Sequence, residues 1–522
     1  GPLEAKPDLA EARALLGAGC APEAAALCHA ALARDAGDAE AWLLLGLSAL
    51  RSGDVLLAEA AVRRSLGLRP ESTEARAALA DILRRTGRRA EAEASLRTGV
   101  PKSPALPYVE MAEQHSARGA YAEAEATLRQ AMSLDGACAE AWHALGLLRQ
   151  AQGEIVAAEA SFKRALELAP NFAAAWINLG SLKAGLEKFA EAVPLYNRAL
   201  ALAPEHAAGH WNRALSLMTL GDYPAAWRDY EWRWQIPGLV QSAEVKVLER
   251  RWRGEPVAGR TVLLHSEQGI GDTIQFARYA PLVARQGARV VLAVQPALVS
   301  LLSRLPGLDR VMSVADPLPA FDVQATLPDL PGIFETSLAS IPDPAGYLTP
   351  DPARAARWAA RLATETRRRI GLIWAGNPRH RDDRHRSIPL AMLAPLLGRA
   401  DVAWFSLQVG DRAKDLAASV HAGIVDLSAE LTDFAETAAA LSALDLLISV
   451  DTAPAHLAGA LGRPAWLLVA RQADWRWMRN REDSPWYASL RLFRQETQGD
   501  WAPVIARVTA ALDREITRRA RD

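Results

Sequence analysis

The chain has 522 residues, half of them apolar, which is too long for one ordinary core and ample for two to four packed domains. Its 60 Lys and Arg nearly cancel its 61 Asp and Glu, leaving a formal charge of −1 and no global electrostatic case for nucleic acid or an anionic membrane. The three cysteines, Cys20, Cys28 and Cys138, fall in helical patterns without metal-ligand spacing. That usage suits a reduced, cytoplasmic protein, and no apolar run is long enough to span a bilayer. Gly1-Pro2 reads as a protease-cleavage scar and is left out of the fold reading.

From residue 5 to residue 238 the chain repeats itself. Glycine recurs at Gly19, Gly53, Gly87, Gly119, Gly153 and Gly221, almost always 34 residues apart, with Glu187 in the one vacancy. Five residues after each of these comes an alanine, from Ala24 to Ala226 without exception. A glycine permits the tight turn between two helices, the small alanine lets them approach closely, and Pro70, Pro104, Pro170 and Pro204 end a unit. Such a pattern resembles tetratricopeptide repeats, about seven of them, and the resemblance implies an α-solenoid whose groove binds peptide. Asn178 and Asn212 occupy the same position on the first helix of the last two complete units. Their carboxamides can hold an extended acceptor backbone, or they can simply bond a neighbouring helix. The aromatic stretch WRDYEWRW (227–234) then reads as a capping helix for the open end of the array.

The texture changes near residue 258. RTVLLHSE is a buried strand followed by a glycine loop and a helix through Gln286. ARVVLAV (288–294) is a second strand, 298–305 a helix, and 310–314 a third strand. After a Pro-rich linker and a helix over 353–366, a fresh series begins at RIGLIWAGNP (369–378). VAWFSLQV (402–409), DLLISVD (445–451) and PAWLLV (464–469) supply its further strands. The order predicts two Rossmann-like α/β domains in tandem, 239–352 and 353–522, with a cleft at the carboxyl ends of their strands.

The loop HSEQGIGDTIQFARY (265–279) superficially suggests a dinucleotide fingerprint. Its third glycine, however, is Ile274, no acid ends the second strand, and Asp272 would face a pyrophosphate with the wrong charge. In a cleft, a carboxylate in a helix's first turn can instead accept a proton from an attacking hydroxyl, although such an Asp also caps helices. Gly269 and Gly271 would give the acceptor close access to the backbone. SVDTAPAHLAGALGRP (449–464) is a strand, Asp451-Thr452, and a helix with Pro454 in its first turn, which prepares an anion site. The loop NPRHRDDRHRS (377–387), rich in arginine and histidine, is a second anion candidate. Without an Asp-x-Asp sequence, phosphate charge would be met by helix dipole, Arg and His rather than by a metal.

Residues 260–500 resemble the ADP-heptose heptosyltransferase-like family through Gly271-Asp272, Ile-Gly-Leu-Ile-Trp-Ala-Gly-Asn (370–377), and Asp451-Thr452 followed by His456. The resemblance implies a GT-B glycosyltransferase fold with Asp272 as catalytic base. It places Asp451, Thr452, Ala453 and His456 at the donor phosphates, with Ala453 where the family often has glycine. Trp374, Gly376, Asn377, Arg386 and Gln408 would line the nucleotide, and no cofactor or metal is expected. Trp475 and Trp477 would close over the nucleotide or pack in the core. Repeats fused to such a domain look like bacterial protein glycosyltransferases, including those that transfer nonulosonic acids to flagellin. The implied reaction moves a sugar from a nucleotide donor, CMP-linked pseudaminic or legionaminic acid, to Ser or Thr of a polypeptide in the groove. A glycolipid or polysaccharide transferase, and a repeat scaffold with an inactive transferase domain, remain open.

Overall fold

The computed structural model describes residues 9–97, 103–239, 249–378, 383–418 and 423–519. Gly1-Pro2, the start of the array and residues 379–382 of the second anion loop lie outside them. The chain folds as two compact units, Gly1–Ala169 and Pro170–Asp522. The last two repeats thus belong to the same unit as the sheets, and the boundary expected after residue 238 falls inside it.

The first unit contains five helix pairs, beginning with Leu9–Gly17 and Ala21–Arg34 and ending with Ala139–Ala151 and Ile155–Leu168. The second unit opens with two more, Ala173–Gly185 with Phe189–Leu202 and Ala207–Leu220 with Tyr223–Tyr230. Every recurrent glycine of the repeat lies between the helices of a pair at a φ between 76° and 87°, the left-handed region that glycine enters without steric cost. Glu187 takes the same conformation at φ 62° with a full side chain. Each alanine five residues on is at most 1% exposed, so the small side chain sits where the two helices meet.

After the repeats come two parallel sheets. The first holds β1 (Thr261–His265), β2 (Arg289–Val294), β3 (Arg310–Ser313) and β4 (Val323–Thr326) in the order β3-β2-β1-β4. The second holds β5 (Arg368–Ile373), β6 (Val402–Ser406), β7 (Ile424–Asp426), β8 (Leu446–Val450), β9 (Ala465–Val469) and β10 (Leu490–Arg494), ordered β10-β9-β8-β5-β6-β7. The second is the doubly wound order in full and the first its opening part. Strand order therefore reverses between β1 and β4 and between β5 and β8, where such folds bind ligands. The architecture is an α-solenoid followed by a GT-B fold.

The expected strands are all present, whereas β4, β7 and β10 were not anticipated. The helix expected through Gln286 is two, Ile270–Ala277 and Ala280–Arg285, because Pro281 lacks the N–H that would continue the first. The helix expected over 298–305 is shorter, a 3-10 turn (Pro296–Leu298) running into one α turn (Val299–Leu302). One hydrophobic core runs from Met218, Tyr223 and Trp227 of the last repeat into the first sheet and one face of the second. A separate core covers the other face of the second sheet, beneath the helix Ala502–Arg519.

Candidate active site

The loop leaving β1 is clamped by the capping segment of the repeats. Glu267, two residues past the strand, accepts from Arg233 at 2.8 and 2.7 Å, and Arg233 also binds Asp329 at 2.7 Å. Arg251 reaches Asp329 at 2.8 Å, and Thr326 donates to Glu267 at 2.6 Å. Burial pushes the Asp329 carboxyl up, but the charges of Arg233 and Arg251 outweigh it and hold it below the ordinary value. Gln268 adds a bond to the Tyr230 hydroxyl at 3.0 Å. The stretch expected as a capping helix is instead the last turn of the repeat helix Tyr223–Tyr230 and a 3-10 turn, Glu231–Gln235, and it fixes the loop that carries Gly269 to Asp272.

Asp272 lies at the third position of the helix Ile270–Ala277 and accepts from the Gly269 N–H at 2.9 Å, so it caps its own helix. It also pairs with Arg476, whose guanidinium bonds Gln275 and, at 2.9 Å, Asp474. Burial raises the Asp272 carboxyl, Arg476 lowers it, and Asp474 raises it again; the outcome lies above the ordinary 3.8. Against this helix packs the helix Ala453–Ala460, which starts at Thr452 at the end of β8. The approach is tight: a Cβ on Gly271 would stand 2.8 Å from Cδ2 of His456. Gly271 is thus required by helix packing, and Gly-Asp and Asp-Thr-x-x-x-His meet in one place.

On the β8 side, the indole N–H of Trp477 donates to Asp451 at 2.9 Å, and Thr452 shares a hydroxyl bond with Ser449 at 3.1 Å. Burial and the nearby Asp474 raise the Asp451 carboxyl against the pull of Trp477, Arg386 and Arg476. His456 holds the Tyr487 hydroxyl at 2.9 Å through Nδ1 and keeps Nε2 3.9 Å from Asp451. Burial, helped by the charges of Arg476, Arg278 and Arg386, holds its imidazole well below 6.5, so it is neutral at pH 7. Ala453 and Pro454 form the first turn of this helix, leaving its N-terminus half-buried.

The loop after β5 is arranged differently from expectation. Gln408 spends its amide on that loop: it accepts from the N–H groups of Trp374 and Ala375 at 3.1 and 2.9 Å and donates to the Ala375 carbonyl. Trp374 is fully buried, and its indole N–H donates to Asp415 at 3.0 Å. Both side chains therefore shape the loop from behind. Gly376 has no room for a Cβ beside Arg386 and Asp383, and its N–H donates to Ser387 at 2.9 Å. Arg386 pairs with Asp383 at 3.3 Å and Asn377 is exposed. In the repeats, Asn212 donates to Ser181 of the neighbouring helix at 3.1 Å, and Asn178 is half-buried. Trp475 and Trp477 pack in the core, at 6% and 0% exposure.

Arg233, Glu267, Arg476 and Tyr487 escaped the sequence reading. The one available signal was charge lodged among aromatics, in WRDYEWRW and in ADWRWM (473–478), since an arginine there stacks and pairs rather than solvates. Among the described residues no group of three or more His, Cys, Asp or Glu is placed to hold a metal ion.

The fold is a tetratricopeptide-repeat array followed by a GT-B-like α/β region. Tetratricopeptide repeat models match residues 9–72, 43–107, 139–172 and 177–231, and the model of glycosyltransferase family 9 (heptosyltransferase) matches residues 405–478. That last segment contains Asp451, His456 and Arg476. A curated relative, Protein FlbA of Caulobacter vibrioides, is 32% identical over 329 residues, 58% of this chain and 54% of that protein. The chain thus spans about half the length of the curated relative it matches. Among solved structures, the APC/C hetero-tetramer Cut9-Hcn1 is 21% identical, covering 44% of this chain and 46% of that one at a TM-score of 0.25. PilF of Pseudomonas aeruginosa is 20% identical, covering 40% of this chain and 95% of its own at 0.24.

Proposed function

We propose that this protein is a metal-independent protein O-glycosyltransferase, with Asp272 as its base and the helix N-terminus after Asp451 as its donor-phosphate site. The supporting observation is the packing of Gly271 on His456, which sets the two helix N-termini side by side with Arg476 paired to Asp272. In the step proposed, an acceptor hydroxyl gives its proton to Asp272 as its oxygen bonds the anomeric carbon. The bond from that carbon to the phosphate oxygen breaks, and the phosphate leaves with the electron pair. Backbone N–H groups at Thr452 and Ala453, the neutral His456 and Arg386 would receive that charge. A buried carboxylate with a raised proton affinity suits the base.

The acceptor in this reading is Ser or Thr of a polypeptide, flagellin, held along the first helices of the repeats by Asn178 and Asn212. The donor is a CMP-linked nonulosonic acid. An ADP-linked donor is the second reading, favoured by the heptosyltransferase match over residues 405–478. A thermal-shift series with CMP, UDP, GDP and ADP separates them: the largest stabilisation is expected from CMP, ADP leading would install the second reading, and no response to any nucleotide would favour a scaffold. Asp272→Asn is expected to lower turnover roughly a hundred- to ten-thousandfold while nucleotide affinity holds. Unchanged turnover removes Asp272 as base.

A further inference from the structure

The second unit contains a cavity of about 710 Å³ away from the cleft. It lies along the outer edge of β10, two strands outward from β8, where the proposed substrate cleft lies. Its walls are β10, the 479–482 segment that bonds back to it through Leu492 and Glu482, the helix Ala502–Arg519, and the Glu187 turn.

Seven arginines line this cavity against three glutamates, with no lysine among them. Glu187 serves two of the arginines, Arg479 at 3.2 Å and Arg471 at 3.5 Å, and Glu482 serves Arg491 at 3.2 Å. Glu496 stands 3.9 Å from Arg507. Arg494 bonds only main-chain carbonyls, those of Trp477, Met478 and Arg481. Arg514 is exposed two helical turns beyond Arg507 on the same helix. Arg481 pairs with Asp483 at 2.7 Å, just outside the cavity, and with that acid counted the arginines still outnumber their partners. Burial and the charges of Arg479 and Arg481 push Arg494 down to about 10 and burial lowers Arg479, whereas pairing with Asp483 raises Arg481. A bound anion would relieve that repulsion.

We propose that this cavity is a binding site for a multivalent oxyanion of the phosphate class, separate from the substrate cleft. Planar guanidinium forks match phosphate oxygens two at a time, which a lysine-lined patch would not do. The volume falls within the range of small-molecule sites, about 300–1,000 Å³, and far exceeds one phosphate, so a ligand with several linked phosphates fits the spread of charge. Glu187 occupies Arg471 and Arg479, and Asp483 occupies Arg481, so the exposed Arg507 and Arg514 are the guanidiniums that face a ligand.

The test is calorimetric titration of the full chain with inorganic tripolyphosphate, at fixed ionic strength and without divalent cations. Saturable binding is expected, weakened at least tenfold in the double variant Arg507→Gln, Arg514→Gln. Both side chains are substantially exposed, so the fold should survive, and circular dichroism checks that it does. Arg289→Gln, an exposed charge at the start of β2 outside both sites, should leave the affinity within threefold. The proposal is overturned if the full chain shows no saturable binding, if the double variant loses less than tenfold, or if Arg289→Gln loses as much as the double variant. None of these outcomes depends on whether the cleft transfers sugar.

Discussion

In the reaction proposed above, Asp272 and Arg476 would set the acid side. Because the folded carboxyl lies above 3.8, turnover by Asp272 should fall as pH drops through that raised value, so the acid limb of kcat/KM lies above the ordinary aspartate position. Arg476 is the main charge pulling the carboxyl down. Arg476→Gln should therefore move the limb further up, a shift that a purely structural loss would not produce. A limb left in place disconnects the pair from proton transfer. Asp272 could be read from its glycine loop because the local pattern is compact. Arg476 could not, since its partner lies 204 residues away and its own neighbours, Trp475 and Trp477, read as packing.

At the scale of elements, the two helix N-termini are joined through a contact with no slack. Gly271→Ala would drive a methyl into the His456 ring, which is wedged between Trp477 at 5.2 Å and Tyr487 at 5.6 Å. An overpacked core of this kind costs about 1–3 kcal/mol, so a lower urea midpoint and weaker nucleotide binding are expected together. An unchanged midpoint would mean that the helices part freely. The strands show what a pattern can disclose. β6, β8 and β9, and β5 from Ile370 onward, are largely apolar runs because both faces of a parallel sheet are covered. By contrast, β4 (VQAT) is short and half polar, β7 is three residues long, and β10 (LRLFR) is broken by arginines at its second and fifth positions. Their pairing partners, rather than their own composition, make them strands.

The repeat period was plain in the sequence, but the place where the molecule divides was not. A boundary drawn by composition falls after the aromatic cap, yet Tyr223 and Trp227 pack edge-on to Trp475, at 5.9 and 6.0 Å. A chain starting at Pro170 should therefore unfold cooperatively, with a Tm within a few degrees of the second unit in the full protein. One starting at residue 239 should not fold, because Glu267 and Asp329 lose Arg233 and are left as buried, under-compensated charges. Scanning calorimetry of the two truncations decides this, and a well-folded 239–522 would return the boundary to the end of the repeats. The Trp486 indole N–H donates to the Tyr223 hydroxyl across 263 residues of sequence. During synthesis the earlier repeats can stack on neighbours already made, but this aromatic face must wait for its partner. At about 5–20 residues per second, the wait is on the order of tens of seconds. For that interval the nascent chain carries an uncovered tyrosine–tryptophan patch, which is where a stalled ribosome or a missing chaperone would first turn this protein towards aggregation.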